Sequence, residues 1–89
     1  MKVIKVEARN NTCDDMSVYV TYENGDVYLY NAYKLSERCS VLKDRSFFLS
    51  RISIINNTLA WDCSTNGSKD DTICIDVAPE SIQSSPRIL

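Results

Sequence analysis

Aspartates and cysteines in the C-terminal half are the side chains best suited to chemistry. Four aspartates lie between Trp61, the only tryptophan, and Pro79: Asp62, Asp70, Asp71 and Asp76. Paired carboxylates can perform acid–base catalysis or bind Ca²⁺. Their spacing does not match an EF-hand loop, and an adjacent pair such as Asp70-Asp71 is common in solvated turns. We therefore expect a polar loop here, in preference to a metal site or a hydrolase that uses Asp62 or Asp76.

The cysteines are spread along the chain, at Cys13, Cys39, Cys63 and Cys74. No two of them have Cys-x-x-Cys spacing, and the chain contains no histidine. A zinc site would need thiolates from four separate elements, and a structural disulfide would need an oxidising compartment. We expect free, mostly buried thiols that pack as small apolar groups, with no bound metal or cofactor.

Other kinds of catalysis lack the groups that they require. A Ser or Cys nucleophile needs a base, most often His, and the sequence has none. It also lacks a glycine-rich phosphate loop. The net charge is -2 and the ten Lys and Arg residues are scattered, whereas binding to a nucleic-acid backbone needs clustered cations. We expect neither an enzyme nor a direct nucleic-acid binder.

The N-terminal stretch MKVIKVEAR predicts a strand. Ile4, Val6 and Ala8 alternate with polar residues, as in a half-buried strand. Lys5 and Glu7 interrupt the apolar run before it reaches the length of a signal peptide. No segment approaches the roughly 20 apolar residues of a membrane helix. We therefore expect a cytoplasmic protein without membrane contact.

Asn24-Gly25, in MSVYVTYENGDVYLYN, predicts a β-hairpin, because this pair favours a two-residue type I′ turn with positive φ at both positions. In that register Tyr22 pairs with Val27. The core face would then carry Val18, Val20, Tyr22, Val27 and Leu29. The opposite face would carry Tyr19, Thr21, Tyr28 and Tyr30. These tyrosines either pack within the monomer or form an aromatic interaction patch; a chain this small hardly covers both faces, which favours the patch.

The middle of the chain predicts helical structure and then a second hairpin. From Tyr33 to Leu49 apolar residues follow helical spacing, and Asp44 before Arg-Ser-Phe resembles an N-cap, which indicates two short helical pieces. RISIINNTLAWD returns to alternation around a two-residue turn at Asn56-Asn57. That register places four large apolar side chains on one face: Ile52, Ile54, Leu59 and Trp61. Trp61 is interpreted as filling the core.

The segment TICIDVAPES predicts the last strand and a closing helical turn. Three apolar side chains of the strand would point inward: Ile73, Ile75 and Val77. Pro79 ends the strand, because proline cannot continue a ladder, and begins the helical turn. The pattern indicates an α+β fold, a small twisted antiparallel sheet of about five to six strands with one short helical region packed on it. We expect one domain over residues 1–82 and a frayed tail over residues 83–89.

The order of four segments resembles the bacterial domain-of-unknown-function family 2442: MKVIKVEARN, VYVTYENGDVYLYNAYKL, a strand ending in Trp, and IDVAPESI. That family has a Lys- and Val-rich first strand, a strand–acidic-Gly–strand hairpin, a leucine-rich helix, a Trp-ended hairpin and a closing Asp-(Ile/Leu)-Ala-Pro-Glu. The matching positions here are Asn24, Gly25, Asp26, Trp61, Asp76, Pro79 and Glu80. One departure is the link from Trp61 to Asp76, which is very short in the family and has fourteen residues here. The extended loop Cys63–Asp71 could therefore carry something particular to this protein.

The resemblance implies a small α+β sheet domain with no established catalytic residue. Some members are fused to a helix-turn-helix domain, and many are encoded beside another small protein in toxin–antitoxin-like pairs. The motif residues Trp61, Asp76 and Pro79 are interpreted as structural anchors of the last strand, with Asp76 accepting backbone N–H groups.

We therefore expect a non-enzymatic bacterial protein-interaction module, the companion of another small protein or a homo-oligomer. Its interaction surface would be Tyr19, Tyr28 and Tyr30. The alternative is a regulatory protein associated with nucleic acid or transcription control, by analogy with the fused relatives.

Overall fold

A computed structural model of the chain describes residues 2–9, 15–64 and 74–89. Six strands form: β1 Val3–Ala8, β2 Ser17–Tyr22, β3 Val27–Asn31, β4 Ile52–Ile55, β5 Thr58–Asp62 and β6 Cys74–Asp76. The helices are α1 Tyr33–Arg38, α2 Arg45–Ser50 and α3 Pro79–Gln83, with a 3₁₀ turn at Ser40–Lys43. Hydrogen bonds divide the strands into two antiparallel sheets, the first sheet β1–β2–β3 and the second sheet β4–β5–β6. The α+β class is confirmed, with two three-stranded sheets in place of the single larger sheet that we expected.

The hairpin between β2 and β3 is present, but its predicted register is wrong by one residue. Val27 pairs with Thr21 instead of Tyr22. The Gly25 N–H donates to the Tyr22 carbonyl over 2.9 Å, and of the Asn24-Gly25 pair only Gly25 has a positive φ, of 94°. A type I turn followed by a glycine bulge has this geometry, so the loop contains three residues instead of two.

This one-residue shift exchanges the two faces of β3, because side chains alternate along a strand. Tyr28 and Tyr30 pair with buried valines of β2 and pack against the core. Val27 and Leu29, predicted for the core, lie on the opposite face with Tyr19. The prediction that the three tyrosines share one face is therefore wrong.

The first strand forms where predicted, with a local irregularity. The register shifts between Val3 and Lys5, so Ile4 is 58% exposed while Val3 is 4% exposed. Val6 and Ala8 pack against the core, as the alternation predicts. Because of this bulge, Val3 packs in the core in the place that alternation predicted for Ile4.

The helical region is divided as predicted at Asp44. Its carboxylate accepts hydrogen bonds from the Ser46 and Phe47 N–H groups, over 3.0 and 3.2 Å, which caps α2. Leu42 in the 3₁₀ turn and Phe48 in α2 are buried in the core. Among the residues that the structure describes, no helix is long and apolar enough to cross a membrane.

The second hairpin has the predicted register, with Ile52 opposite Trp61 and Ile55 opposite Thr58. Its turn residues Asn56 and Asn57 have φ of 54° and 65°, the left-handed conformation that a two-residue type I′ turn requires. In β6, Ile75 lies opposite Trp61. Val77 is buried and Pro79 begins α3, as predicted, whereas Ile73 lies outside the described residues.

One apolar core joins the two sheets. Trp61 and Phe48 are fully buried, with ring centroids 5.3 Å apart. Strand β1 lies beside β4, and the Val3 N–H donates to the Asn57 carbonyl over 3.2 Å. The two sheets therefore meet at β1 and β4.

The C-terminal tail is not frayed, contrary to the prediction. It runs along β3, where the Val27 N–H donates to the Leu89 carbonyl over 3.0 Å and the Leu29 N–H to the Pro86 carbonyl over 2.9 Å. The Ile88 N–H donates to the Val27 carbonyl over 2.8 Å. The tail thus adds a fourth segment to the first sheet and protects the edge of β3.

Candidate interaction surface

The side of the first sheet that faces away from the core is termed the outer face. It consists of eight side chains: Lys5, Glu7, Tyr19, Thr21, Val27, Leu29, Ile88 and Leu89. The buried apolar residues of the helices and the 3₁₀ turn belong to the core on the other side of the sheet: Leu35, Leu42, Phe48 and Ile82. Within the described parts of the chain, the outer face is therefore left without a covering helix.

A groove of about 330 Å³ runs across the outer face. Tyr19 and Val27 line it from the middle strands of the first sheet and are termed its floor, and Lys5 lines it from β1 on one side. The other wall is formed by Ile88 and Leu89, which are 46% and 77% exposed. The lining of the groove therefore combines an aromatic ring, exposed aliphatic side chains and a Lys–Glu pair.

Charged groups at the border of the outer face occur in pairs. The Lys5 ammonium lies 3.6 Å from a Glu7 carboxylate oxygen, with both side chains well exposed. The Arg9 Nε donates to Asp15 Oδ2 over 2.8 Å. Lys5 and Arg9 therefore each have a carboxylate beside them.

The Arg9–Asp15 pair fixes the chain where it enters β2. The hydrogen bond from Arg9, followed by that from the Ser17 N–H, lowers the pKa of Asp15 to about 2. In return, the hydrogen bond with Asp15 raises the pKa of Arg9, with a smaller contribution from Tyr19. Tyr19 therefore lies near the Arg9 guanidinium.

The other two tyrosines predicted for the interaction surface lie on the core side. Tyr28 packs edge-on against Tyr22, with ring centroids 5.6 Å apart and planes at 84°. Burial raises the pKa of Tyr30, and the charge of Arg38 partly offsets this shift. Of the predicted trio, Tyr19 is the residue that the fold places on the outer face.

Two of the four aspartates between Trp61 and Pro79, for which we expected a polar loop, belong to the described residues. Asp62 is buried and its carboxylate accepts a hydrogen bond from the Ser64 N–H over 2.9 Å. Asp76 is exposed on β6, so its predicted bonds to backbone N–H groups stay a prediction. Asp70 and Asp71, with most of the extended loop, lie outside the described residues.

The thiols of Cys39 and Cys63 are free and half-buried, and Cys74 is half-buried as well; Cys13 lies outside the described residues. Residues of α1 and β6 line a second cavity of about 300 Å³: Leu35, Arg38, Cys39, Cys74, Ile75 and Asp76. Across the described ranges, no group of three or more His, Cys, Asp or Glu side chains is placed to hold a metal ion. Two thiols in one shallow cavity therefore provide an incomplete ligand set.

The motif residues occupy structural positions. The Trp61 indole N–H donates to the Phe48 carbonyl over 3.0 Å, so its one polar group is satisfied inside the core. Asn24 Oδ1 accepts a hydrogen bond from the Asp26 N–H over 3.0 Å, which stabilises the turn. Pro79 and Glu80 are exposed in the first turn of α3.

Sequence reasoning missed the structural role of two arginines. The Arg45 guanidinium lies 5.0 Å from the Phe48 ring centroid and donates to the Asp15 carbonyl over 2.6 Å. Arg51 lies 5.9 Å from the Phe47 ring centroid. Each arginine is three or four positions from its aromatic partner, a helical spacing that could have predicted both contacts.

No protein-family model matches this chain, and no curated protein or solved structure matches it. The resemblance to family 2442 therefore rests on the quoted motifs alone.

Proposed function

We propose that this chain is a non-enzymatic protein-interaction module that binds its partner through the outer face of the first sheet. The observation that carries the proposal is the groove of about 330 Å³ with Tyr19 on its floor and exposed aliphatic side chains on one wall. Tyrosine provides a large contact area and a polar hydroxyl, and is enriched where interfaces bury their centre.

The border charges favour a protein over a nucleic acid as partner. Lys5 and Arg9 each lie beside a carboxylate, whereas a nucleic-acid backbone selects surfaces with unpaired cations. A protein surface, with both signs of charge, matches such a border. The nucleic-acid alternative therefore has the weaker support. The resemblance to family 2442 suggests either a small companion protein or a second copy of this chain.

Two single substitutions of tyrosine, one on the outer face and one control, test the proposal. Tyr19→Ser changes the floor of the groove, and Tyr33→Ser changes a tyrosine that is 60% exposed on α1, away from the outer face. Tagged wild-type and variant chains would be purified from the native cell, and their copurifying chains quantified by mass spectrometry, with circular dichroism as a folding control. We expect Tyr19→Ser to lose its partner and Tyr33→Ser to keep it. Equal recovery with both folded variants would contradict the proposal.

A further inference from the structure

The C-terminal tail pairs with the edge of β3 as an incomplete antiparallel strand. Tyr28 lies opposite Arg87, and the Leu29 N–H donates to the Pro86 carbonyl over 2.9 Å. The N–H and C=O of one strand residue point to the same side, so a regular partner strand would return an N–H to the Leu29 carbonyl. Pro86 has no N–H to donate. The tail therefore forms one of the two hydrogen bonds that this pair of residues could make.

The pairing is also irregular at the other end of the tail. The N–H groups of Ile88 and Leu89 both point to the Val27 carbonyl, over 2.8 and 3.4 Å, and the Val27 N–H donates to the Leu89 carbonyl over 3.0 Å. Two tail residues therefore oppose one residue of β3, which is a β-bulge. A regular strand would fit this edge better than the tail does at both positions.

We propose that the edge of β3 is a strand-addition site, and that the tail occupies it as a displaceable substitute for an extended peptide of a partner protein. In strand addition the backbone hydrogen bonds supply affinity and alternate side chains supply specificity. The inference goes beyond the proposed function, because it concerns the edge of the first sheet and does not depend on Tyr19 of the outer face.

Few contacts hold the tail in place. Ile82 anchors α3 in the core, but every residue from Gln83 onward is exposed or half-buried. The Arg87 guanidinium lies 3.7 Å from Asp26 Oδ2, with the two side chains 61% and 28% exposed, and ion pairs this accessible contribute little to stability. Segments with few buried apolar contacts open locally without global unfolding. The tail can therefore leave β3 while α3 stays packed.

The seated tail shows which peptide the edge accepts. The position of Arg87 faces the Asp26 carboxylate, which favours a cationic side chain there. The next position, that of Ile88, lines the groove of the outer face beside Val27, which favours an aliphatic side chain. The preceding position, opposite Leu29, favours any residue that has an N–H. The ligand is therefore an extended peptide with a non-proline residue, a Lys or Arg, and an aliphatic residue in succession.

Two peptides and two variants of the full chain test the proposal. The probe peptide is Ser-Ser-Ala-Arg-Ile-Leu with blocked ends, the sequence of residues 84–89 with alanine in place of Pro86; the control peptide carries N-methylalanine there and so lacks the N–H. Arg87→Glu places a like charge beside Asp26 and loosens the tail, whereas Lys34→Glu makes the same charge change on the exposed side of α1. Amide NMR spectra would follow titration to about 10 mM peptide, because a tethered tail competes at an effective concentration of millimolar order.

We expect the probe peptide to shift the Val27 and Leu29 amides and to bind about fivefold more tightly than the control peptide, the effect of one backbone hydrogen bond. Arg87→Glu should bind it at least about threefold more tightly than the wild type, since more of the chain has an open edge, and Lys34→Glu should match the wild type. Equal affinities of the two peptides, or shifts away from β3, would overturn the strand-addition site. Equal affinities of the wild type and Arg87→Glu would overturn displacement of the tail, and so would absence of binding to both.

Discussion

At the scale of single residues, Tyr22 places a hydroxyl inside the core. The residue is 2% exposed, and the described residues provide no hydrogen-bond partner for its oxygen. Burial raises the pKa of this phenol; the Gln83 side chain is near enough to lower it slightly, but not in hydrogen-bonding geometry.

Tyr22→Phe should therefore leave the free energy of unfolding unchanged or raise it by up to about 1 kcal/mol, because the unpaired hydroxyl costs desolvation. Tyr22→Ala should lower it by about 3–5 kcal/mol through the cavity that it leaves. Urea denaturation measures both. A clear loss of stability in Tyr22→Phe would show that the hydroxyl has a partner.

Trp61 is the largest fully buried side chain, and its indole N–H is bonded to the Phe48 carbonyl. Trp61→Ala should cost about 3–5 kcal/mol, a large part of the stability of a small domain. The wild-type fluorescence should be blue-shifted and poorly quenched by iodide. A red-shifted, fully quenched tryptophan with normal stability in the alanine variant would refute the core position.

The lowered pKa of Asp15 makes the free energy of unfolding depend on pH. Its pKa in the folded chain is lowered from 3.8 to about 2, so the unfolded chain takes up the proton first as the pH falls. Stability from this carboxylate is fully present above about pH 4 and is lost between about pH 4 and pH 2. In Asp15→Asn that loss should be missing. Unfolding curves of the two chains over this range should therefore converge towards low pH; parallel curves would contradict the assignment.

At the scale of elements, each hairpin turn has one position that favours glycine: Gly25 in the first hairpin and Asn57 in the second. Gly25 has a φ of 94° and open space around it, so Gly25→Ala should cost about 1 kcal/mol through backbone strain alone. Asn57, with a φ of 65°, should tolerate Asn57→Gly without loss, since Asn-Gly is the preferred pair of a type I′ turn. Thermal unfolding of both variants checks this; a stabilised Gly25→Ala would mean that the loop has a different conformation.

These turns also explain which elements the sequence could predict. Asn56-Asn57 lies between apolar residues whose alternation permits one register, and that register forms. Asn24-Gly25 is compatible with two- and three-residue loops, and both registers place large apolar or aromatic side chains on each face of β3. The choice depends on the packing of Tyr28 and Tyr30 against the core, which the local sequence does not contain.

At the scale of the whole molecule, long-range contacts determine the candidate surface. Alternation predicted that one side of the first sheet would stay open and that Tyr19 would lie there. The wall formed by Ile88 and Leu89 exists because the tail pairs with β3, about 60 positions away in sequence. A tail with exposed apolar residues gives no periodic signal, so this half of the groove could not be predicted from local patterns. The same holds for the contact between β1 and β4, which joins the two sheets.

The central claim, that the outer face is the interaction surface, can be tested by backbone amide NMR spectra of the labelled chain, recorded alone and with the protein that copurifies with it. Binding moves the signals of the residues at the interface. We predict that the shifts cluster on the outer face, with Tyr19, Val27 and Ile88 among the largest, and that Tyr33 and the rest of α1 stay unchanged. Shifts that cluster instead around the α1–β6 cavity would contradict the account.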